Sequence, residues 1–91
     1  MDLQVIRDLL PVEDQLDQLA EEAAELAHAA LKLSRKIKMR NPTPVTKREA
    51  YERLKEEYSD VTLCAQVIGI EADESMMNTK LWRWGKRLKD E

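Results

Sequence analysis

Apolar residues in this chain recur at intervals of three and four, the spacing of a helix face, and not at the alternate positions of a half-buried strand. Residues 2–10 carry Leu3, Val5, Ile6, Leu9 and Leu10, enough for a short helix that stops at or before Pro11. From about Val12 to Met39 the positions Leu16, Leu19, Ala23, Leu26, Ala30, Leu33 and Ile37 form a continuous heptad seam. The stretch Arg40-Asn41-Pro42-Thr43-Pro44 breaks that helix, since neither proline fits a helix interior and each biases its predecessor towards an extended conformation. Thr46 followed by Glu49 supplies a capping box for a third helix. It carries Tyr51, Leu54, Tyr58, Val61, Ala65 and Ile68 at the same spacing and ends at Gly69. A last helix, about Asp73 to Lys89, places Met77, Leu81, Trp84 and Leu88 on one stripe.

These elements predict an all-α antiparallel helical bundle: a short N-terminal helix, a long helix and two further helices. Composition narrows the picture. Ninety-one residues allow one domain, spanning 1–91, and two glycines exclude a glycine-rich phosphate loop or a dinucleotide-binding βαβ unit. The alanine-rich second helix buries little surface alone, so the bundle is expected to be completed by oligomerisation, as a dimer or a tetramer. The single Cys64 reads as a small hydrophobe, and the absence of a run of 18 apolar residues argues against membrane insertion and for a cytoplasmic protein.

The net charge of −3 excludes a generic nucleic-acid binder but conceals a block pattern. Residues 1–31 hold eight acids and one base, 32–48 seven bases and no acid, 49–79 eight acids and two bases, and 80–91 five bases and two acids. Within the acidic blocks two pairs stand out. Glu22 and Glu25 lie three apart on the second helix, and Glu57 and Asp60 three apart on the third, so each pair shares a helix face. Both pairs flank the apolar seam in the same heptad phase. In a helical hairpin, Glu22 with Asp60 and Glu25 with Glu57 are level if the turn centres on residue 41, inside the proline-marked break. Four carboxylates are therefore expected to converge. Such a cluster repels itself unless neutralised, and its hard oxygen donors suit Mg2+, or Mn2+, better than zinc. A di-iron site would want Glu-x-x-His on both helices; His28 follows Glu25 by three, but Leu63 stands where the third helix would need its partner.

The run Glu21-Glu22-Ala23-Ala24-Glu25 followed by Glu57-Tyr58-Ser59-Asp60 resembles the EExxE…ExxD motif of the MazG-like, all-α nucleoside triphosphate pyrophosphohydrolases. Asn78-Thr79-Lys80-Leu81 with Arg83 is similar to that family's C-terminal Asn-x-Lys-aromatic stretch, with Leu81 in place of the aromatic and Trp84 in place of a second arginine. The resemblance spans about residues 15–88 and looks closest to the small phage-type members. It implies Mg2+-dependent hydrolysis of (d)NTP to the monophosphate and pyrophosphate by an oligomer with sites at subunit contacts. Glu22, Glu25, Glu57 and Asp60 would hold the metal, Glu21 and Glu22 are the candidate catalytic acids, with Glu21 either orienting the attacking water or holding a second metal, and Asn78, Lys80 and Arg83 would bind substrate. Lys80, Arg83 and Arg87 share one helix face, while Lys32 and Lys36 extend the acidic stripe towards the turn. Trp82 is a candidate for stacking on a base or covering a neighbouring subunit, and Trp84 for the core or an interface. The competing reading is a non-enzymatic helical interaction protein, an antitoxin-like or regulatory bundle, whose acids are merely solvated.

Overall fold

The computed structural model describes residues 2–39 and 44–90, which form four helices and no strand: α1 (Leu3–Leu9), α2 (Val12–Lys38), α3 (Lys47–Ile68) and α4 (Glu74–Lys89). The predicted turn centre at Asn41-Pro42 lies outside the described residues. Among those residues no helix is long and apolar enough to cross a membrane.

Local chemistry sets the helix ends. The Asp2 carboxylate accepts from the Gln4 N–H, Asp73 accepts from the Met76 N–H, and the Thr46 hydroxyl accepts from the Glu49 N–H at 3.0 Å while donating to the Glu49 carboxylate at 3.1 Å. At the end of α3, Gly69 adopts φ 90°, and the Gly69 and Ile70 N–H groups both donate to the Ala65 carbonyl. This left-handed turn strains any residue with a Cβ. Pro11 sets the corner between α1 and α2, where the buried Gln15 amide donates to the Leu10 carbonyl at 2.7 Å. The Arg7 guanidinium then ties α1 to α3 by donating to the Gln66 and Val67 carbonyls, each at 2.7 Å, at the helix end where a cation is favoured.

The principal packing is the antiparallel α2–α3 hairpin, with α1 laid against α3. Its phase differs from the predicted seam. Leu19, Leu26 and Leu33 do face α3, but the residues that alternate with them are Gln15, Glu22 and Ala29, not Leu16, Ala23 and Ala30. On α3 the buried positions are Ala50, Glu57 and Val67, while Tyr51 and Tyr58 are exposed. The small side chains of Ala29 and Ala50 sit where the helices meet. Two neighbouring stripes run along each helix, and the hairpin closes on the more polar one. Because the helices are antiparallel, stepping one residue forward on each turns to the same side of the hairpin, so Leu16, Ala23, Ala30, Tyr51 and Tyr58 share one open, largely apolar face.

Helix α4 packs along none of the other helices, and every residue on it is exposed, including Met77, Leu81, Trp84 and Leu88. The only buried apolar side chains among the described residues are Ala29, Ala50 and Val67. The accessible surface is 7766 Å², against about 5500 Å² for a compact monomer of this mass. The radius of gyration is 16.8 Å, where a chain of this length packed as one compact domain would give about 12 Å. A single copy thus leaves on the order of 2000 Å² more surface open than compact monomers do, which is the scale of one subunit's share in a large obligate interface.

Candidate metal centre

Glu22, Glu57 and Asp60 come together on the side of the hairpin opposite the open apolar face. Each offers one carboxylate oxygen such that the three oxygens lie within 4.8 Å of one another. The helical spacing explains the meeting: Glu57 and Asp60 are one turn apart on α3, and Glu22 faces them from α2 at the same height. Glu57 is 4% exposed, so this acid lies in the seam itself, deeper than the flanking position its spacing predicts. Glu22 and Asp60 are half-buried. The Gln18 side-chain amide donates to the Glu22 carboxylate at 3.0 Å and orients it.

Burial pushes the Glu57 carboxyl above the ordinary carboxylate range; Arg53 opposes that shift, and the charges of Asp60, Glu22 and Glu25 reinforce it. Arg53 lies one turn before Glu57, its Nη2 2.8 Å from Glu57 Oε1. It neutralises part of one carboxylate in a group of several. Burial, then Glu22 and Asp60, also raise the Cys64 thiol, which stays protonated at neutral pH. A partly buried set of oxygen donors with unbalanced negative charge fits a hard divalent cation, and the chemistry of the donor set matches Mg2+ or Mn2+.

A raised folded-state pKa means that folding favours the protonated form. The contribution of Glu57 to stability is therefore present below its unfolded pKa and is lost as pH rises through the folded value. In metal-free buffer, Glu57→Gln is expected to melt increasingly above the parent as pH rises from about 4 to about 7. A melting difference that does not change over that range would show that burial and its acidic neighbours do not raise the Glu57 carboxyl.

The other predicted residues are placed differently. Glu25 stands outside the trio but close enough to act electrostatically on Glu57. Glu21 is exposed and lies outside the group of three. Asn78, Lys80 and Arg83 are exposed on α4, with Lys80 and Arg83 lining a shallow depression beside Asp73 and Thr79.

Two cavities flank the acids along the hairpin. Towards the chain termini, one of about 310 Å³ is lined by Ile6, Leu10, Gln18, Leu63, Cys64 and Val67 among others, with Glu22 and Asp60 at its edge. Towards the turn, one of about 160 Å³ is lined by Glu25, His28, Ala29, Lys32, Arg35 and Arg53. Neither follows from the heptad reading, although the Arg53-to-Glu57 spacing of four residues is itself a sequence signal for their pairing. No protein-family model, curated protein or solved structure matches the chain.

Proposed function

We propose that this protein is a Mg2+-dependent nucleoside triphosphate pyrophosphohydrolase of the MazG-like kind, converting (d)NTP and water to (d)NMP and pyrophosphate. The observation that carries the reading is the convergence of Glu22, Glu57 and Asp60 within 4.8 Å across two helices. A solvated helix face does not call for a buried glutamate grouped with one acid on its own helix and another on the facing helix. The EExxE…ExxD resemblance supplies the reaction class.

Glu22, Glu57 and Asp60 would hold the cation, with Glu25 beside them; when bound, it supplies charge neutralisation and orientation of triphosphate and water. Gln18 keeps the Glu22 carboxylate turned towards the site. Arg53 limits repulsion in the metal-free state through Glu57, and its half-exposed guanidinium, loosely paired with Glu56 at 3.8 Å on its other side, can turn an N–H group to an anion. In the reaction a water oxygen forms one new P–O bond, the bridging P–O bond between the α and β phosphorus atoms breaks, and the bridging oxygen keeps the electron pair. One proton passes to solvent, with Glu21 at the rim as a candidate carrier.

The working unit in this reading is a homo-oligomer. The open Leu16/Ala23/Ala30 face and the apolar stripe of α4 would be covered by a second copy, leaving the acidic groove on the far side accessible. Lys80, Arg83 and Asn78 would reach substrate only through that assembly.

The exposed apolar faces also favour the competing reading, a helical module that binds a protein partner. Thermal melting separates the two. Millimolar Mg2+ or Mn2+, with a non-hydrolysable dNTP, is expected to raise the melting temperature by about 10 °C or more if the ligand stands at about a hundred times its dissociation constant. No shift with either ion, alone or with nucleotide, would favour the interaction module.

A further inference from the structure

We propose that the cavity lined by His28, Lys32, Arg35 and Arg53 is an oxyanion subsite that seats the two distal phosphates of the nucleotide and the pyrophosphate released from them. The proposal rests on the hydrolase reading and gives it a direction along the hairpin.

The charge of the cavity is the first ground. Lys32 and Arg35 face one acid, Glu25, while Arg53, which also lines the cavity, is already paired with Glu57 and Glu56, so the lining's other two bases outnumber its acid by one. Among the described residues, neither Lys32 nor Arg35 forms an ion pair. Two unpaired bases on neighbouring turns of one helix repel each other and are relieved by an anion. The second ground is the build of the cavity. Buried Ala29 forms part of its lining, and its small side chain leaves room between cations projecting from both helices. Arginine forks and a lysine ammonium together match the oxygen-rich surface of a diphosphate.

Position is the third ground. Arg53 lines this cavity while its Nη2 lies 2.8 Å from Glu57 Oε1, so the basic cavity adjoins the acidic trio directly. From Glu25 to Lys32 is seven residues, a rise of about 10 Å along α2. The same distance in the other direction leads to Gln18 and the apolar cavity beside Leu10 and Leu63. An extended nucleoside triphosphate spans such a groove with its nucleoside at the apolar end and its charged tail at the basic end. Lys80 and Arg83 of α4 line a separate depression, whereas Lys32, Arg35 and Arg53 line the cavity that adjoins the acids.

The test is calorimetric titration of the whole protein with inorganic pyrophosphate in EDTA, so that the acidic trio takes no part through a metal. The parent is expected to bind, the double variant Lys32→Gln/Arg35→Gln to bind at least about tenfold more weakly, and the charge-conserving Lys32→Arg/Arg35→Lys to bind within a few-fold of the parent. Asp60→Asn is expected to bind no more weakly than the parent, because it removes a nearby negative charge. Pyrophosphate inhibition of turnover is expected to weaken in the glutamine variant in the same proportion. A parent that turns over nucleotide yet does not bind pyrophosphate, or a glutamine variant with unchanged affinity, overturns the assignment alone. Pyrophosphate binding lost in the glutamine variant, in a protein that turns over no nucleotide, overturns the hydrolase reading and leaves an oxyanion site of another purpose.

Discussion

Asp60→Asn is expected to lower nucleotide turnover by more than about a hundredfold, the upper range found for residues that merely support metal ligands from outside. Its helical content should stay unchanged. Asp60 is half-buried, accepts no hydrogen bond from a described residue and stands beside Glu57 and opposite Glu22, so the neutral amide would remove a ligand and relieve repulsion at once. The metal-free variant is therefore expected to melt at or above the parent temperature and to lose the shift with Mg2+. Steady-state pyrophosphate release and melting curves in EDTA and in Mg2+ check both halves. Turnover within a few-fold of the parent would remove Asp60 from the site, and unfolding in EDTA would make it a structural acid.

If the protein assembles through the open face as proposed, Ala30→Glu is expected to leave a 10.6 kDa monomer. Ala30 is exposed on the open face of α2 and touches neither the acids nor their flanking cavities, so glutamate there fits the isolated chain without strain. Against a second copy it would bury an unpaired charge. Such a charge costs several kcal/mol, enough to weaken association by about a thousandfold or more. Because the single copy has so thin a core, dissociation is expected to lower the melting temperature too. Sedimentation at micromolar protein distinguishes the outcomes; an unchanged mass would place the interface elsewhere, with α4 the next surface to probe.

Local signals in the sequence were sufficient for the helices and their ends: the Thr46–Glu49 cap, the stop at Gly69 and the corner at Pro11 all stand where short-range chemistry puts them. The meeting of Glu22 with Glu57 and Asp60 was legible as well, because equal helix spacing and a common turn centre fix height in a hairpin. Rotational phase was not. The heptad reading chose the more apolar stripe, Leu16, Ala23, Ala30 and Tyr58, as the internal seam, whereas α2 meets α3 through Gln15, Glu22, Ala29, Ala50 and Glu57. Periodicity states which residues share a face but not which partner the face meets. The basic cavity was hidden for a related reason: Lys32 and Arg35 come from α2 and Arg53 from α3, and only pairing the helices in the correct phase brings them around Ala29. The position of α4 follows from no pairing of periodic faces, because it packs along none of the other helices.

The most direct measurement is phosphorus-31 magnetic resonance of a panel of the eight common ribo- and deoxyribonucleoside triphosphates incubated with the protein and Mg2+. The expected result is equal growth of nucleoside monophosphate and pyrophosphate signals from at least one of them, absent in EDTA and absent with Asp60→Asn. Orthophosphate with nucleoside diphosphate, or no change in any member of the panel, would contradict a pyrophosphohydrolase built on Glu22, Glu57 and Asp60.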